Sequence, residues 1–258
     1  MQARTIIAFL FLSAVLVALS VGAYSTTDLG TLVERMVAHE RQTASPGTTD
    51  SKPTDEALRR PSGKLLQMIV MATKAADETN AAANKLSSEV EPAALSRDIN
   101  LATASRGDLE ALRGDLKTAE ANAAALTPRY AALLKAERDR LQAYAVSLHA
   151  EKSVVDPFMA GIDVRHAQAA DLTSKLASAR ADYYRAYDSY VAVLTGEFGT
   201  YQVVAGQFIF PLQRTVERYN VAARAMTGAA ARVAELQEQL TKLLQSQQAG
   251  WQQSVDSK

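Results

Sequence analysis

The sequence predicts an all-α fold: an elongated antiparallel helical bundle, built of coiled-coil-like hairpins, behind an N-terminal hydrophobic segment. Three observations predict it. Two stretches carry apolar residues alternately three and four apart over about 25 residues each, the spacing of a helix-on-helix seam. They are Leu109, Leu112, Leu116, Ala119, Ala123, Leu126, Tyr130 and Leu133, and then Tyr219, Ala222, Met226, Ala229, Val233, Leu236, Leu240 and Leu243. Alanine, the best helix former, is abundant while aromatics make up only 6%, so the helices should pack closely along thin seams. Cap-then-proline signals and glycine turns separate the helical stretches.

The N-terminus reads "MQARTIIAFLFLSAVLVALSVGAYSTTD". Arg4 precedes an apolar run from Ile6 to about Val21, followed by Val21-Gly22-Ala23. Two readings stay open for residues 1–23: a signal peptide cleaved after Ala23, where small side chains suit the peptidase, or an uncleaved anchor close to the minimum spanning length. Either one puts residues 24–258 on the far side of a membrane, because Arg4 favours the inside. The alanine-rich composition suggests a bacterium, and hence the periplasm.

Residues 24–61 should hold a short amphipathic helix, with Leu29, Leu32, Val33, Met36 and Val37 on one face and Asp28 as its cap, and then a tether, "TASPGTTDSKPTDE" (43–56). The bundle is expected over 62–250. Its first helix starts near Ser62 and stops before Pro92. Ser105 opens the next, with Asp108 completing a capping box. Thr127-Pro128 should kink or restart that helix, which runs to about Lys152. Asp156-Pro157 should open the next, to about Thr195, with "GEFG" (196–199) as a turn. A helix break is expected near Gly206–Phe210 and a restart at Pro211, with the last helix running towards Gln248. Residues 251–258 read as a disordered tail. No strand pattern stands out except "QFIF", too short to build on.

Bulk numbers narrow the function. The 258 residues are 48% hydrophobic and 22% charged, enough to sustain a core. The 28 basic and 28 acidic residues are interspersed, which excludes the concentrated positive stripe of a nucleic-acid surface. There is no cysteine, so disulfides, thiolate catalysis and Cys-based zinc sites are excluded.

Residues 203–220, "VVAGQFIFPLQRTVERYN", differ from their neighbours. Nine of the sixteen aromatic residues lie between Tyr183 and Tyr219: Tyr183, Tyr184, Tyr187, Tyr190, Phe198, Tyr201, Phe208, Phe210 and Tyr219. Tyr183, Tyr187 and Tyr190 share a helical face. Two readings follow. Large rings could plug the end of a thin alanine-rich bundle. Alternatively, Tyr183, Tyr187, Tyr190, Phe198, Tyr201, Phe208, Phe210 and Tyr219 could line a pocket for an apolar or aromatic ligand, with phenol hydroxyls as polar handles.

"GQFIFPLQRTVERYN" resembles the C-terminal region of a family of small exported bacterial lipoproteins of uncharacterised function, which share a Gly, an aromatic-Pro step and a Tyr-Asn at similar spacing. The resemblance implies an exported, mainly helical envelope protein and brings no activity. Family members carry a lipid-attachment cysteine that this chain lacks, so lipid anchoring does not carry over.

Asp163 and His166 lie at i and i+3 and could share a metal, but no third ligand stands near, so they read as an exposed polar pair. No P-loop, dinucleotide or nucleophile-elbow pattern occurs. "SRGDLEALRGDLK" (105–117) holds Arg-Gly-Asp twice. Inside a helix this is a duplicated heptad with Gly107 and Gly114 facing solvent, rather than an adhesion loop. The expectation is a non-enzymatic, exported or inner-membrane-tethered bundle with a structural or protein-interaction role in the cell envelope, without catalytic residues, metal or cofactor. The alternative is a periplasmic binding module at the aromatic cluster. Expected partners are an envelope protein or a second copy through the heptad seams, and the membrane through residues 6–23 if uncleaved.

Overall fold

The computed structural model describes residues 63–96 and 99–256. The hydrophobic segment, the amphipathic stretch after Asp28 and the tether lie outside the described residues. Among those described, four α-helices follow in order: α1 (Gly63–Ser88), α2 (Arg106–Ser147), α3 (Lys152–Gly196) and α4 (Gln213–Asp256). A 3-10 turn occupies Ala93–Ser96, and a hairpin of β1 (Gln202–Val204) and β2 (Gln207–Ile209) joins α3 to α4. The fold is all-α, a bundle in which each helix runs antiparallel to the one before.

Cross-links show the antiparallel pairing. Between α1 and α2, Lys64 Nζ donates to the His149 carbonyl at 2.8 Å, and further along Asn122 donates to the Glu89 carbonyl at 3.2 Å. Between α2 and α3, Arg113 pairs with Asp188, Arg185 with Glu120 and Arg138 with Asp163. Between α3 and α4, Tyr190 meets Tyr219 and Gln247 donates to Gln168. The 42 residues of α2 give a rod about 63 Å long.

The α2 seam is buried where expected from Leu109 to Tyr130, with Ala119 and Ala123 fully enclosed. Beyond Tyr130 the strict heptad fails. Leu134 is buried and Leu133 only half-buried, and the stripe continues through Glu137, Leu141 and Ala145. A straight α-helix drifts about 20° per heptad, so an extra four-residue step recentres the stripe on the core. The α4 seam also faces inward, but only Ala222 and Leu236 are fully buried. The other six seam residues of α4 are half-buried.

The restart expected at Pro128 and the helix start expected at Asp156-Pro157 need correction. α2 runs unbroken through Pro128 and ends at Ser147, short of Lys152. Proline removes one hydrogen bond, to the Ala124 carbonyl, but Leu126 and Tyr130 on either side are buried and hold the turn in place. α3 begins at Lys152, ahead of Pro157, with Glu151 as a cap whose side chain makes no capping bond. Val155, Phe158, Met159 and Ile162 pack against Met68, Ile69, Leu141 and Ala145. That burial favours helix from Lys152 onward despite the missing donor. The C-terminal stretch expected as a tail also continues α4 as far as Asp256. Nothing after Gly250 breaks a helix.

The capping box is present as read: Asp108 N–H donates to Ser105 Oγ at 3.1 Å and Ser105 N–H to Asp108 Oδ2 at 2.9 Å. Those bonds hold the Asp108 carboxyl below its ordinary range. Ser105→Ala should lower Tm by about 2–4 °C, read by circular dichroism.

Candidate functional site

The pole where α3 turns into α4 holds the aromatic cluster. α3 ends at Gly196, and Glu197 fastens the connection. Glu197 accepts from Thr215 Oγ1 at 3.1 Å and from Thr200 Oγ1 at 3.3 Å, while Arg218 approaches its carboxylate at 4.0 Å. Thr215 is fully buried at the start of α4.

Between them lies a hairpin where the sequence suggested a helix break and, in "QFIF", a strand pattern too short to build on. Val203 pairs with Phe208 and Val204 with Gln207. The turn residues Ala205 and Gly206 have φ of 51° and 76°, the left-handed pair that a two-residue hairpin of this twist requires. Alanine is a poor residue for the first of these positions, which is why the hairpin signal was weak in the sequence. α4 then starts at Gln213, two residues beyond Pro211.

The structure brings all eight candidate residues into one connected set of rings. Along α3, Tyr183 and Tyr187 have centroids 6.0 Å apart and Tyr187 and Tyr190 6.4 Å. Tyr190 meets Tyr219 of α4 at 5.2 Å, and Tyr219 meets Phe210 at 5.1 Å and Phe208 at 5.9 Å. Tyr201 stands edge-on to Phe208 at 5.2 Å and to Phe198 at 6.3 Å. These are the separations and tilts that ring quadrupoles favour. Tyr184, Tyr187, Tyr190 and Phe210 are buried, Tyr183, Tyr201, Phe208 and Tyr219 half-buried, and Phe198 exposed. Leu109, Leu112, Val191 and Leu194 form the apolar floor.

Three of the six tyrosine hydroxyl groups meet protein partners. The Tyr190 and Tyr219 hydroxyls share a hydrogen bond of 2.9 Å, and Tyr184 donates to Glu91 at 2.7 Å. Burial pushes the Tyr187 phenol up to about 12. It also raises Tyr183, Tyr184 and Tyr190, helped at Tyr184 by the Glu91 charge and at Tyr190 by the bond to Tyr219. At neutral pH these are un-ionised packing groups, poorly suited to act as bases.

Several partners were not readable from sequence. Glu91 and Ser87 come from the end of α1 and the chain beyond it, and Ser87 Oγ accepts from the buried Arg180 at 2.8 Å. Only tertiary proximity pairs residues so distant in sequence. Asp163 and His166 take different partners: Asp163 accepts from Arg138 at 2.6 Å, while His166 Nε2 lies 3.3 Å from the buried Glu137. Among the described residues no group of three or more His, Asp or Glu is placed to hold a metal ion. The Arg-Gly-Asp repeats lie within α2, and the space beside Gly114 is open. Arg113 is committed to Asp188 and Asp108 to the cap.

Two open grooves follow α3 and α4 and share no residue with the rings. One, of about 550 Å³, lies beside Gly161, Val164 and Leu243; the other, of about 340 Å³, beside Lys175, Arg232 and Leu236. No helix among the described residues is long and apolar enough to cross a membrane. Fold and site together define an antiparallel four-helix bundle with a connected cluster of aromatic rings at one pole. The chain matches no family model, no curated protein and no solved structure.

Proposed function

We propose that this chain is a non-enzymatic helical bundle, exported or tethered to the inner membrane, with a structural or protein-interaction role in a bacterial cell envelope. The observation that supports it most is the way the aromatic cluster closes on itself. The residues with the greatest chemical potential in the sequence contact one another ring to ring, and the Tyr190 and Tyr219 hydroxyls satisfy each other. A rigid, internally filled pole is suited to bearing a shape rather than turning over a substrate. The apolar run from Ile6 supports the envelope assignment, and the half-buried seam of α4 offers a surface to a protein partner or a second copy.

Intact mass of the protein from fractionated cells tests the location. A chain beginning at Tyr24 in the periplasmic fraction, or a full-length chain in the membrane fraction, agrees with the proposal. A full-length chain in the soluble cytoplasm overturns it. Light scattering tests the partner: a monomer removes the second-copy version.

A further inference from the structure

We propose that the hairpin pole is a lipid-contacting tip that seats shallowly in the headgroup region of a bilayer. No charged residue lies between Glu197 and Arg214, a longer uncharged run than any other among the described residues. The fold collects this run at one pole. Val204 and Ile209 each keep 51% of their surface exposed, and Phe198 and Leu212 of the same uncharged run are also exposed. The outward face of the hairpin sets Val204 and Ile209 among Gln202 and Gln207, by the pairing of Gln202 with Ile209 and Val204 with Gln207, while Val203 and Phe208 share the other face. Amide side chains of this kind hydrogen-bond to headgroups, while the aliphatic ones reach the acyl boundary. Tyr201 sits just behind, at the depth where aromatic rings favour a membrane interface.

Area favours a bilayer over a second copy. The exposed apolar patch is on the order of 400 Å². Two such tips pressed together would bury about 800 Å², below the roughly 1,200 Å² of a stable interface. The free edges of β1 and β2 limit the depth, because unpaired peptide groups cannot enter hydrocarbon but are satisfied among headgroups. Gly63, where the chain enters the bundle, lies at the opposite pole, where Lys64 binds the carbonyl of His149 in the α2–α3 turn. The tip is therefore clear of that entry point. The inference rests on the envelope reading only for a bilayer within reach, and synthetic vesicles test it independently of where the cell keeps the protein.

The test places tryptophan at the tip of the full chain, as Val204→Trp in a Trp251→Phe background that removes the chain's only tryptophan. The protein is mixed with phosphatidylcholine vesicles containing brominated acyl chains. The expected result is a blue-shifted, bromine-quenched emission that is insensitive to salt. Adding Ile209→Asp should weaken the quenching partition by about tenfold or more, with the far-UV signal and Tm retained because Ile209 is exposed. Unquenched Val204→Trp emission overturns the proposal, whether the protein is then monomeric or doubled in mass by light scattering. Quenching that survives Ile209→Asp also overturns it, because the aliphatic side chains of the hairpin would then not be what seats the tip.

Discussion

Tyr190→Ala should cost the bundle about 3–5 kcal/mol, a loss of roughly 10 °C in Tm. Tyr190 is almost fully enclosed, and it is the ring that joins the tyrosines of α3 to those of α4 and the hairpin. Truncation removes ring contacts in both directions and opens a cavity at the pole. It also leaves the Tyr219 hydroxyl without its 2.9 Å partner. Tyr190→Phe separates these effects. It keeps the packing and deletes only the hydroxyl, for about 1 kcal/mol. Urea unfolding of the three proteins checks the ordering. If Tyr190→Ala unfolds like the parent protein, the aromatic cluster does not hold the pole together. A ligand pocket would then be the better account of the rings.

At alkaline pH the bundle should lose stability steeply. Tyr187 ionises at about 12 when folded, against about 10 in an unfolded chain. Between those values the unfolded state has released a proton that the folded state retains, so stability falls as pH rises. The Tyr187 contribution is fully present below pH 10 and is lost as pH climbs through 12. It amounts to about 3 kcal/mol. Tyr183, Tyr184 and Tyr190 are shifted in the same direction and steepen the loss. Phenolate absorbance and far-UV circular dichroism, followed together from pH 9 to 13, should change in one coupled transition. Tyr187→Phe should move that transition to higher pH. Smooth phenol titration near pH 10 with the helices intact would show the rings to be open to water.

Both experiments probe residues singled out from spacing and composition, and the structure shows why that was feasible. Aromatic residues are rare in this chain, so nine within one stretch imposed a cluster wherever the helices placed them. The seams of α2 and α4 and the Ser105–Asp108 cap were legible for a similar reason. Each depends on residues within a turn or two of one another, and local helix geometry alone sets their relation. Leu133 shows the limit of that geometry, because the strict heptad overran the point where a straight helix rotates its stripe away.

The misreadings at the two prolines, the hairpin and His166 involve partners distant in sequence. Pro128 and Pro157 looked like helix starts because proline's local effect is to remove a donor. The helices persist because Leu126, Tyr130, Phe158 and Ile162 bury against other segments. The hairpin was missed because Ala205 takes a left-handed conformation unfavourable to it, imposed by the joining of α3 to α4. The pairing of His166 with Glu137 rather than Asp163 depends on where α2 meets α3, not on a three-residue spacing. By itself, then, the sequence determined the helical class, the seams, the first cap and the membership of the aromatic cluster, because periodicity and composition act locally. Only the tertiary structure decided where the helices begin and end, which hydroxyls find partners and which apolar side chains stay outside. Those outcomes depend on burial, and burial exists only once distant parts of the chain have met.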